Sequence, residues 1–226
     1  MLARDWYYNE QRKVGLDSAV ASLGVTERRD VRARAALTML GVTPGWRVAD
    51  IGCGNGELAV EAAAMGAEVD AIDISPAMLT LAEMVARERK VAIRTRPTGL
   101  LSFVSQPDHY DLIVSEFVLH HLPDFWKAVA FSRIHRALKP GACFFLRDIV
   151  FVSTPDGLER TVEQWADLNA GNHDFARESV VTHMRDEHST FGWVIERMAT
   201  DAGFELVSAD YHAPLHGTYV LRKPAK

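Results

Sequence analysis

The sequence predicts an α/β fold in which a mostly parallel sheet is covered by helices on both faces. Short apolar runs typical of buried strands alternate along the chain with stretches of helical periodicity. One of these runs, residues 48–51, leads through a glycine-rich turn directly into a helix, as strand-to-helix junctions of parallel sheets do. The chain has 226 residues, of which 48% are hydrophobic, so it is long enough to bury the core of one such domain.

The elements can be placed one by one. Seven strands are predicted, near residues 46–51, 69–73, 91–95, 110–115, 142–149, 204–210 and 217–222. A helix is predicted near residues 28–40, and helices fill most of the gaps between the strands. Ser75 has the residue type of a helix N-cap and Pro76 that of a first helical position, which marks the start of one of these helices. We predict a single domain over residues 1–226.

Two segments do not fit the alternation and are predicted to cover the active site. Residues 153–189 are too many for a simple connection, and they hold a helical pattern followed by a polar stretch with several histidines. We interpret them as a lid inserted between the fifth strand and the following helix. Residues 1–27, which include three aromatic side chains in a row, are the second candidate lid.

Charge and composition narrow the class of partner. The net charge is −5 at pH 7, whereas strong nucleic-acid binders normally present a basic face, so no nucleic-acid partner is predicted. No apolar run reaches the ~18 residues of a membrane span, and the first residues lack the apolar core of a signal peptide. The two cysteines lie in a turn and in a predicted strand, which favours free thiols and a cytoplasmic protein. A small molecule is the predicted partner, and the oligomeric state is left open.

The glycine-rich turn is the most informative motif. Gly52, Gly54 and Gly56 let the backbone turn tightly and approach a ligand, and a helix that begins near Glu57 directs free N–H groups toward it. Dinucleotide-binding proteins have G-x-G-x-x-G at this point. Here the third glycine comes one residue early, and Glu57 stands where that motif requires glycine. The spacing counts against a nicotinamide cofactor, and a nicotinamide oxidoreductase is kept as an alternative.

The second strand ends in a carboxylate. Ribose hydroxyls are commonly held by a short acid at the carboxyl end of this strand, and Asp73 stands there. Ile74, the next residue, is a candidate to pack against an adenine ring. Both residues are predicted cofactor contacts.

Four motifs in order resemble those of class I S-adenosylmethionine (SAM) dependent methyltransferases. They are Asp50-x-Gly52-x-Gly54-x-Gly56, the strand that ends at Asp73, residues 110–124, and Leu138-Lys139-Pro140-Gly141 with the strand that follows. The resemblance covers residues 45–150 in detail and residues 202–222 more loosely. It implies a Rossmann-like sheet of seven strands with an antiparallel last strand, SAM as cofactor, and methyl transfer to O, N or S of a small metabolite.

The resemblance also implies a set of cofactor contacts. They are Asp50, Gly52, Gly54, Asp73, Ile74, Met78, Thr98, Gly99 and Glu116. One position departs from the family's pattern, because the acid that usually accepts a hydrogen bond from the adenine amino group is expected near Pro97 and Thr98, and neither is acidic. We expect adenine to be held by Thr98 or by the backbone of Gly99 and Leu100.

The candidate catalytic residues follow the fourth and fifth strands. Methyl transfer from a sulfonium is an in-line displacement that requires a base only when the acceptor arrives protonated. His120 and His121 lie near the expected position of the methyl group and are candidate bases, with packing in the loop or against the cofactor as the alternative. Asp148, beside Arg147, is a candidate for orienting the substrate, and an internal ion pair is its alternative.

No metal site is predicted. The densest group of possible ligands is His183, Asp186, Glu187 and His188, and a helix would place His183 and Glu187 on one face. Their spacing matches no structural zinc motif, and Phe117 stands where metal-using methyltransferases of quinone pathways often have an acid. One non-enzymatic alternative is kept as well, a SAM-binding partner subunit without turnover.

Overall fold

The computed structural model describes residues 26–169, 177–212 and 215–225. The strands are β1 Arg47–Ile51, β2 Glu68–Asp73, β3 Arg94–Pro97, β4 Tyr110–Glu116, β5 Leu138–Phe151, β6 Thr190–Phe191, β7 Glu205–His212 and β8 His216–Arg222. The helices are α1 Thr26–Met39, α2 Glu57–Ala64, α3 Pro76–Glu88, α4 Asp124–Ala137, α5 Leu158–Asn169, α6 Arg177–Asp186 and α7 Gly192–Asp201. Apart from the first two residues of α1, the predicted amino-terminal lid lies outside the described residues.

Seven of these strands form one sheet in the order β3-β2-β1-β4-β5-β8-β7, and β6 pairs with the end of β5. Strands β1 to β5 are mutually parallel, whereas β8 runs antiparallel to both of its neighbours. The predicted Rossmann-like sheet with an antiparallel last strand is therefore confirmed. The strand order reverses between β1 and β4, which is where ligands bind in open parallel sheets.

Alternate residues of the central strands send their side chains into two separate cores. Leu112 and Val114 of β4 join the core beneath α1, α2 and α3. Ile113, which lies between them, belongs to the core beneath α4 and α7. Each of these side chains is fully buried, a state that contributes about 1.5–3 kcal/mol per large aliphatic side chain. Helices cover both faces, and the ends of the strands are held rigidly.

Helix α3 begins where the sequence predicts. The Ser75 side chain accepts a hydrogen bond from the backbone N–H of Met78 at 3.4 Å, and Pro76 occupies the first position of α3. Ser75 is therefore the N-cap, and the chain turns from β2 into α3 immediately after Asp73.

The third strand begins later than predicted, at residue 94 instead of 91. It is an edge strand with polar side chains, and Arg94 and Arg96 form ion pairs with Asp70 of β2 at 3.2 and 3.4 Å. The apolar residues just before it suggested an earlier start, but pairing with β2 begins only at Arg94. Contacts with charged neighbours, and not burial of an apolar run, determine this strand.

The fifth strand is longer than predicted, because Leu138 already pairs with Tyr110 of β4, ahead of a register shift at which the extra residues lie in β5. The chain after β5 contains α5, α6 and β6, so the helical pattern predicted after residue 153 is present as α5. The proposed lid role of residues 153–189 stays a prediction. No helix within the described ranges is long and apolar enough to cross a bilayer.

Candidate functional site

The three glycines of the first turn have different reasons to be glycine. A Cβ at Gly52 would lie 2.1 Å from Cγ2 of Val118, and a Cβ at Gly56 would lie 2.6 Å from Cβ of Ala82. Both glycines are therefore needed because the side chains of Val118 and Ala82 pack directly against their Cα atoms. A Cβ at Gly54 would have no heavy atom within 4 Å, so this residue faces open space, where the backbone is free to approach a ligand.

That open space belongs to a cleft of about 250 Å³ at the carboxyl ends of the parallel strands. The predicted site residues that line it are Gly52, Gly54, Asp73, Ile74, Met78, Thr98, Gly99 and His121. Its other walls are Ile51, Ser75, Leu100, Leu101, Ser102, Phe117, Val118 and Leu122. Sequence reasoning assigned no ligand contact to the side chains of this second group. Most of them are apolar, and apolar residues after a strand look the same whether they line a cleft or fill a core.

Asp73 holds the glycine turn and the start of α3 together. Its Oδ2 accepts a hydrogen bond from the Gly54 N–H at 2.9 Å, and its Oδ1 accepts one from the Ser75 N–H at 2.8 Å. Burial raises the pKa of this carboxyl, and these backbone donors oppose the rise. A carboxylate accepts about four hydrogen bonds, so Asp73 keeps lone pairs available for a ligand.

The predicted adenine residues lie on one wall. A Cβ at Gly99 would be 2.6 Å from Cγ2 of Ile74, so the absence of a side chain lets these two residues pack closely. The N–H of Gly99 is oriented toward the Ser102 hydroxyl, at 3.3 Å. The Ser102 hydroxyl would therefore compete with adenine for the Gly99 N–H. This favours the Thr98 side chain over the Gly99 N–H as the adenine contact.

Two of the predicted cofactor residues, Asp50 and Glu116, do not line the cleft. Asp50 is 4% exposed, and its Oδ2 is buried without a hydrogen-bond partner. Burial raises the pKa of Asp50 to about 8, and the nearby charges of Glu116 and Asp73 add to the rise. Glu116 lies 4.0 Å from the guanidinium of Arg147. These two carboxyl groups therefore lie close to the glycine turn but outside the lining of the cleft.

We expect the free energy of unfolding of the cofactor-free protein to fall as the pH rises from about 4 to about 8, in part because of Asp50. The pKa of this group is about 8 in the folded state and near 3.9 in an unfolded chain. Between these values the unfolded chain has released a proton that the folded chain keeps, so raising the pH favours unfolding. Asp50→Asn should therefore be more stable than wild type at pH 8 by on the order of 2 kcal/mol.

Urea denaturation of both proteins at pH 5 and pH 8 measures this difference. The Asp50→Asn variant should show the smaller loss of stability between the two pH values. Parallel pH dependence in the two proteins would contradict the raised pKa of Asp50.

His120 and His121, the two candidate bases, occupy different environments although they are adjacent in a short 3-10 turn. His121 lines the cleft, whereas His120 is buried behind it, with 4.0 Å between the ring centroids. Burial lowers the pKa of His121 to about 4, and the neighbouring His120 adds to the fall. His121 is therefore neutral at pH 7.

Asp148 positions His120. The carboxylate accepts a hydrogen bond from His120 Nδ1 at 2.5 Å and others from the N–H groups of Leu119 and Ile149 at 2.6 and 2.7 Å. Asp148 is 1% exposed and does not line the cleft. These contacts favour the internal role over the predicted orientation of a substrate.

The end of the 153–189 segment contacts the same histidines. Glu187 Oε2 lies 3.2 Å from Nε2 of His120 and 2.5 Å from Nδ1 of His183. The other ring nitrogen of His183 lies 2.7 Å from the Ser189 hydroxyl, and the His188 N–H donates to the backbone oxygen of His120 at 2.7 Å. Sequence reasoning paired Glu187 with His183 but did not bring either to His120. Among the described residues of this segment, none lines the cleft.

Comparison with known proteins agrees with this geometry. Residues 48–141 match the family model described as "Methyltransferase domain". The chain is 36% identical over 118 residues to a ubiquinone biosynthesis O-methyltransferase of Xanthomonas campestris pv. campestris, a match that covers 51% of this chain and 46% of that protein. In this region the chain is similar to methyltransferase domains, in agreement with the resemblance to class I SAM-dependent methyltransferases. The match spans only about half the length of such curated relatives.

Solved structures show that this chain shares its fold with proteins of different activities. The magnesium protoporphyrin IX methyltransferase of Synechocystis PCC 6803, solved with bound SAH, matches with a TM-score of 0.62 at 20% identity, over 87% of this chain and 82% of that one. SpnF, a 4+2 cyclase, matches with a TM-score of 0.67 at 16% identity, over 87% and 81%. At these identities the likeness establishes the fold alone.

Proposed function

We propose that this protein is a class I SAM-dependent methyltransferase, and that it transfers a methyl group from SAM to a small molecule bound beside His121. The observation that carries the proposal is that acidic groups surround the cleft and basic groups are missing from its described lining. Asp50, Asp73 and Glu116 put three carboxyl groups near the glycine turn. Among the described residues that line the cleft, none is lysine or arginine. SAM has a net positive charge, whereas nicotinamide dinucleotides carry two phosphates, so this site favours SAM.

The residues fit SAM at three points. Asp73 keeps lone pairs for ribose hydroxyls after accepting from Gly54 and Ser75. The space in front of Gly54 admits a ligand against the backbone. The buried Oδ2 of Asp50 lacks a partner, and a cation nearby would favour its ionised form. When bound, SAM supplies a methyl group activated by the positive sulfonium.

The acceptor is expected on the β4 side of the cleft. Phe117, Val118 and Leu122 line that side with apolar surface, which excludes water from the transfer, and His121 is the polar residue among them. Phe117 has a φ of 57°, a left-handed conformation that costs an aromatic residue about 1–3 kcal/mol. Its ring contacts Arg147 and His216 at 5.3 and 5.7 Å between centres, which holds it in place.

This lining suits a small, largely apolar acceptor with one polar reacting group. The relatives named ubiquinone biosynthesis O-methyltransferases support a hydroxyl as that group. An oxygen acceptor has to lose a proton, and His121, the histidine that lines the cleft, is our candidate to take it.

Calorimetric titration of the protein with SAM and with NAD tests the choice of cofactor. We expect SAM to bind with a dissociation constant in the micromolar range and NAD to give no saturable heat. Tighter binding of NAD would support the oxidoreductase alternative. A screen of small hydroxylated compounds with methyl-labelled SAM then separates an enzyme from a SAM-binding partner subunit, because only the enzyme transfers label.

Three finer assignments belong to the same proposal. Residues 153–189 close over the acceptor as a lid, supported by the contacts of Glu187 and His188 with His120. The partner is a small molecule and not a nucleic acid, in keeping with the net charge of −5. The protein works in a reducing compartment such as the cytoplasm, in keeping with two free cysteines, Cys53 and Cys143.

A further inference from the structure

The cluster behind the cleft contains the donor atoms of a metal site. One ligand atom each from His120, His121 and Glu187 can be chosen so that all three lie within 4.8 Å of one another. The two histidines come from the turn after β4, whereas Glu187 comes from the end of the 153–189 segment. Only the fold brings these parts of the chain together.

The hydrogen bonding of His120 leaves its other ring nitrogen facing a second acceptor. Asp148 accepts hydrogen bonds from three backbone N–H groups, as an ionised carboxylate does, so the Nδ1 of His120 beside it is assigned as a donor that carries the proton. In the neutral ring, Nε2 then presents a lone pair, and it faces Glu187 Oε2 at 3.2 Å. Two lone pairs at this distance require a cation between them, which is either an added proton or a metal ion.

The surroundings favour a metal ion. A histidine that binds metal typically donates its second N–H to a carboxylate, and Asp148 does this for His120. His183 holds Glu187 from the other side at 2.5 Å, so the carboxylate is oriented by the protein. His120 is buried, with only 5% of its surface exposed, and Glu187 is partly buried, which strengthens charge interactions within the cluster.

We propose that His120, His121 and Glu187 bind one divalent transition-metal ion, with zinc as the type case. Two imidazole nitrogens and one carboxylate oxygen are the donor set of zinc sites that keep one coordination position open. Magnesium and calcium prefer oxygen ligands, so this donor set disfavours them. Because His121 also lines the cleft, the open position would face the acceptor.

The consequence for catalysis rests on the proposed function, whereas the binding of the metal does not. A metal ion bound here would lower the pKa of a coordinated hydroxyl group, so that the acceptor would release its proton to water without a protein base. His121 would then serve as a ligand that places the metal beside the acceptor, using the lone pair that a general base would use.

The test measures zinc binding directly. The full-length protein is treated with a chelator, dialysed against buffered Zn²⁺, and its zinc content is determined by mass spectrometry. We expect about one zinc ion per chain with submicromolar affinity, and a rise in melting temperature on adding zinc. Glu187→Gln keeps the size of the side chain but removes its charge, and should weaken zinc binding at least 10-fold.

The matched control is His188→Gln. His188 is exposed, neighbours Glu187 in sequence, and contributes no atom to the proposed ligand set, so this variant should bind zinc as wild type does. Asp148→Asn tests the cluster from the other side, because loss of the carboxylate that orients His120 should weaken binding about 10- to 100-fold. Circular dichroism and melting curves without zinc check that each variant is folded.

Absence of stoichiometric zinc in wild type, or equal zinc affinity in wild type and folded Glu187→Gln, would overturn the proposal. The cluster would then be a hydrogen-bonded histidine between two carboxylates, without a metal ion. SAM titration of the same samples separates this outcome from failure of the proposed function, because the predicted ribose and adenine contacts, Asp73 and Ile74, are not among the proposed metal ligands. Zinc binding without SAM binding would retain the metal site and reject the methyltransferase assignment.

Discussion

Replacing His121 with glutamine is expected to lower the turnover number by roughly 100-fold or more, while SAM affinity stays nearly unchanged. Of the two adjacent histidines, His121 is the one that lines the cleft. It follows β4, and β1 separates β4 from β2, after which the predicted adenine residue Ile74 lies. Glutamine is close in size, but its amide neither takes up a proton at neutral pH nor replaces an imidazole as a metal ligand. The loss is therefore expected whether the ring acts as a base or as a ligand.

Steady-state kinetics with an accepted substrate and calorimetric titration with SAM measure the two quantities separately. His109→Gln is the control. His109 lies just before β4, at the amino end of the strand, whereas the cleft is at the carboxyl ends of the strands. Unchanged turnover in a folded His121→Gln protein would remove His121 from the reaction. An equal loss of SAM affinity would assign it to the cofactor instead of the acceptor.

Asp73→Ala is expected to weaken SAM binding by about 1.5–3 kcal/mol, the usual range for hydrogen bonds to a charged group. The Asp73 carboxylate lines the cleft at the end of β2, and it retains lone pairs after accepting from Gly54 and Ser75. The substitution removes the predicted contacts to both ribose hydroxyls. It also frees two backbone N–H groups, so the glycine turn loses support.

Stability therefore has to be measured beside affinity, by urea denaturation of the cofactor-free variant and by SAM titration under conditions where it is folded. Asp201→Ala is the control, because Asp201 is an exposed residue that pairs with Arg197 on the surface of α7. If folded Asp73→Ala bound SAM as tightly as wild type, the ribose assignment for Asp73 would be wrong.

Local sequence patterns predicted the main elements that form the cleft. The order of strand, glycine turn and helix depends on neighbouring residues, and so do the N-cap at Ser75 and the acid at the end of β2. Apolar alternation also predicted a sheet with covered faces, since periodicity reports which side of an element is buried. The same reasoning misplaced the start of the edge strand β3. This strand is stabilised by ion pairs with Asp70 and not by a buried apolar face.

Other features depend on residues that are distant along the chain. Gly52 is required to be small by Val118, which sequence spacing does not indicate. The raised pKa of Asp50 comes from burial and from Glu116 on a neighbouring strand. His120 and His121 look equivalent in sequence, and only their packing after β4 puts one in the cleft and the other against Asp148.

The sequence by itself determined the fold class, the family resemblance and the choice of Gly54, Asp73 and Ile74 as residues of the cleft, because each of these follows from the chemistry of adjacent residues. Only the tertiary structure decided that Glu187 meets His120, because the connection from β5 through α5 and α6 returns to the turn after β4. Periodicity describes which face of an element is buried, but it carries no information about which distant element covers that face.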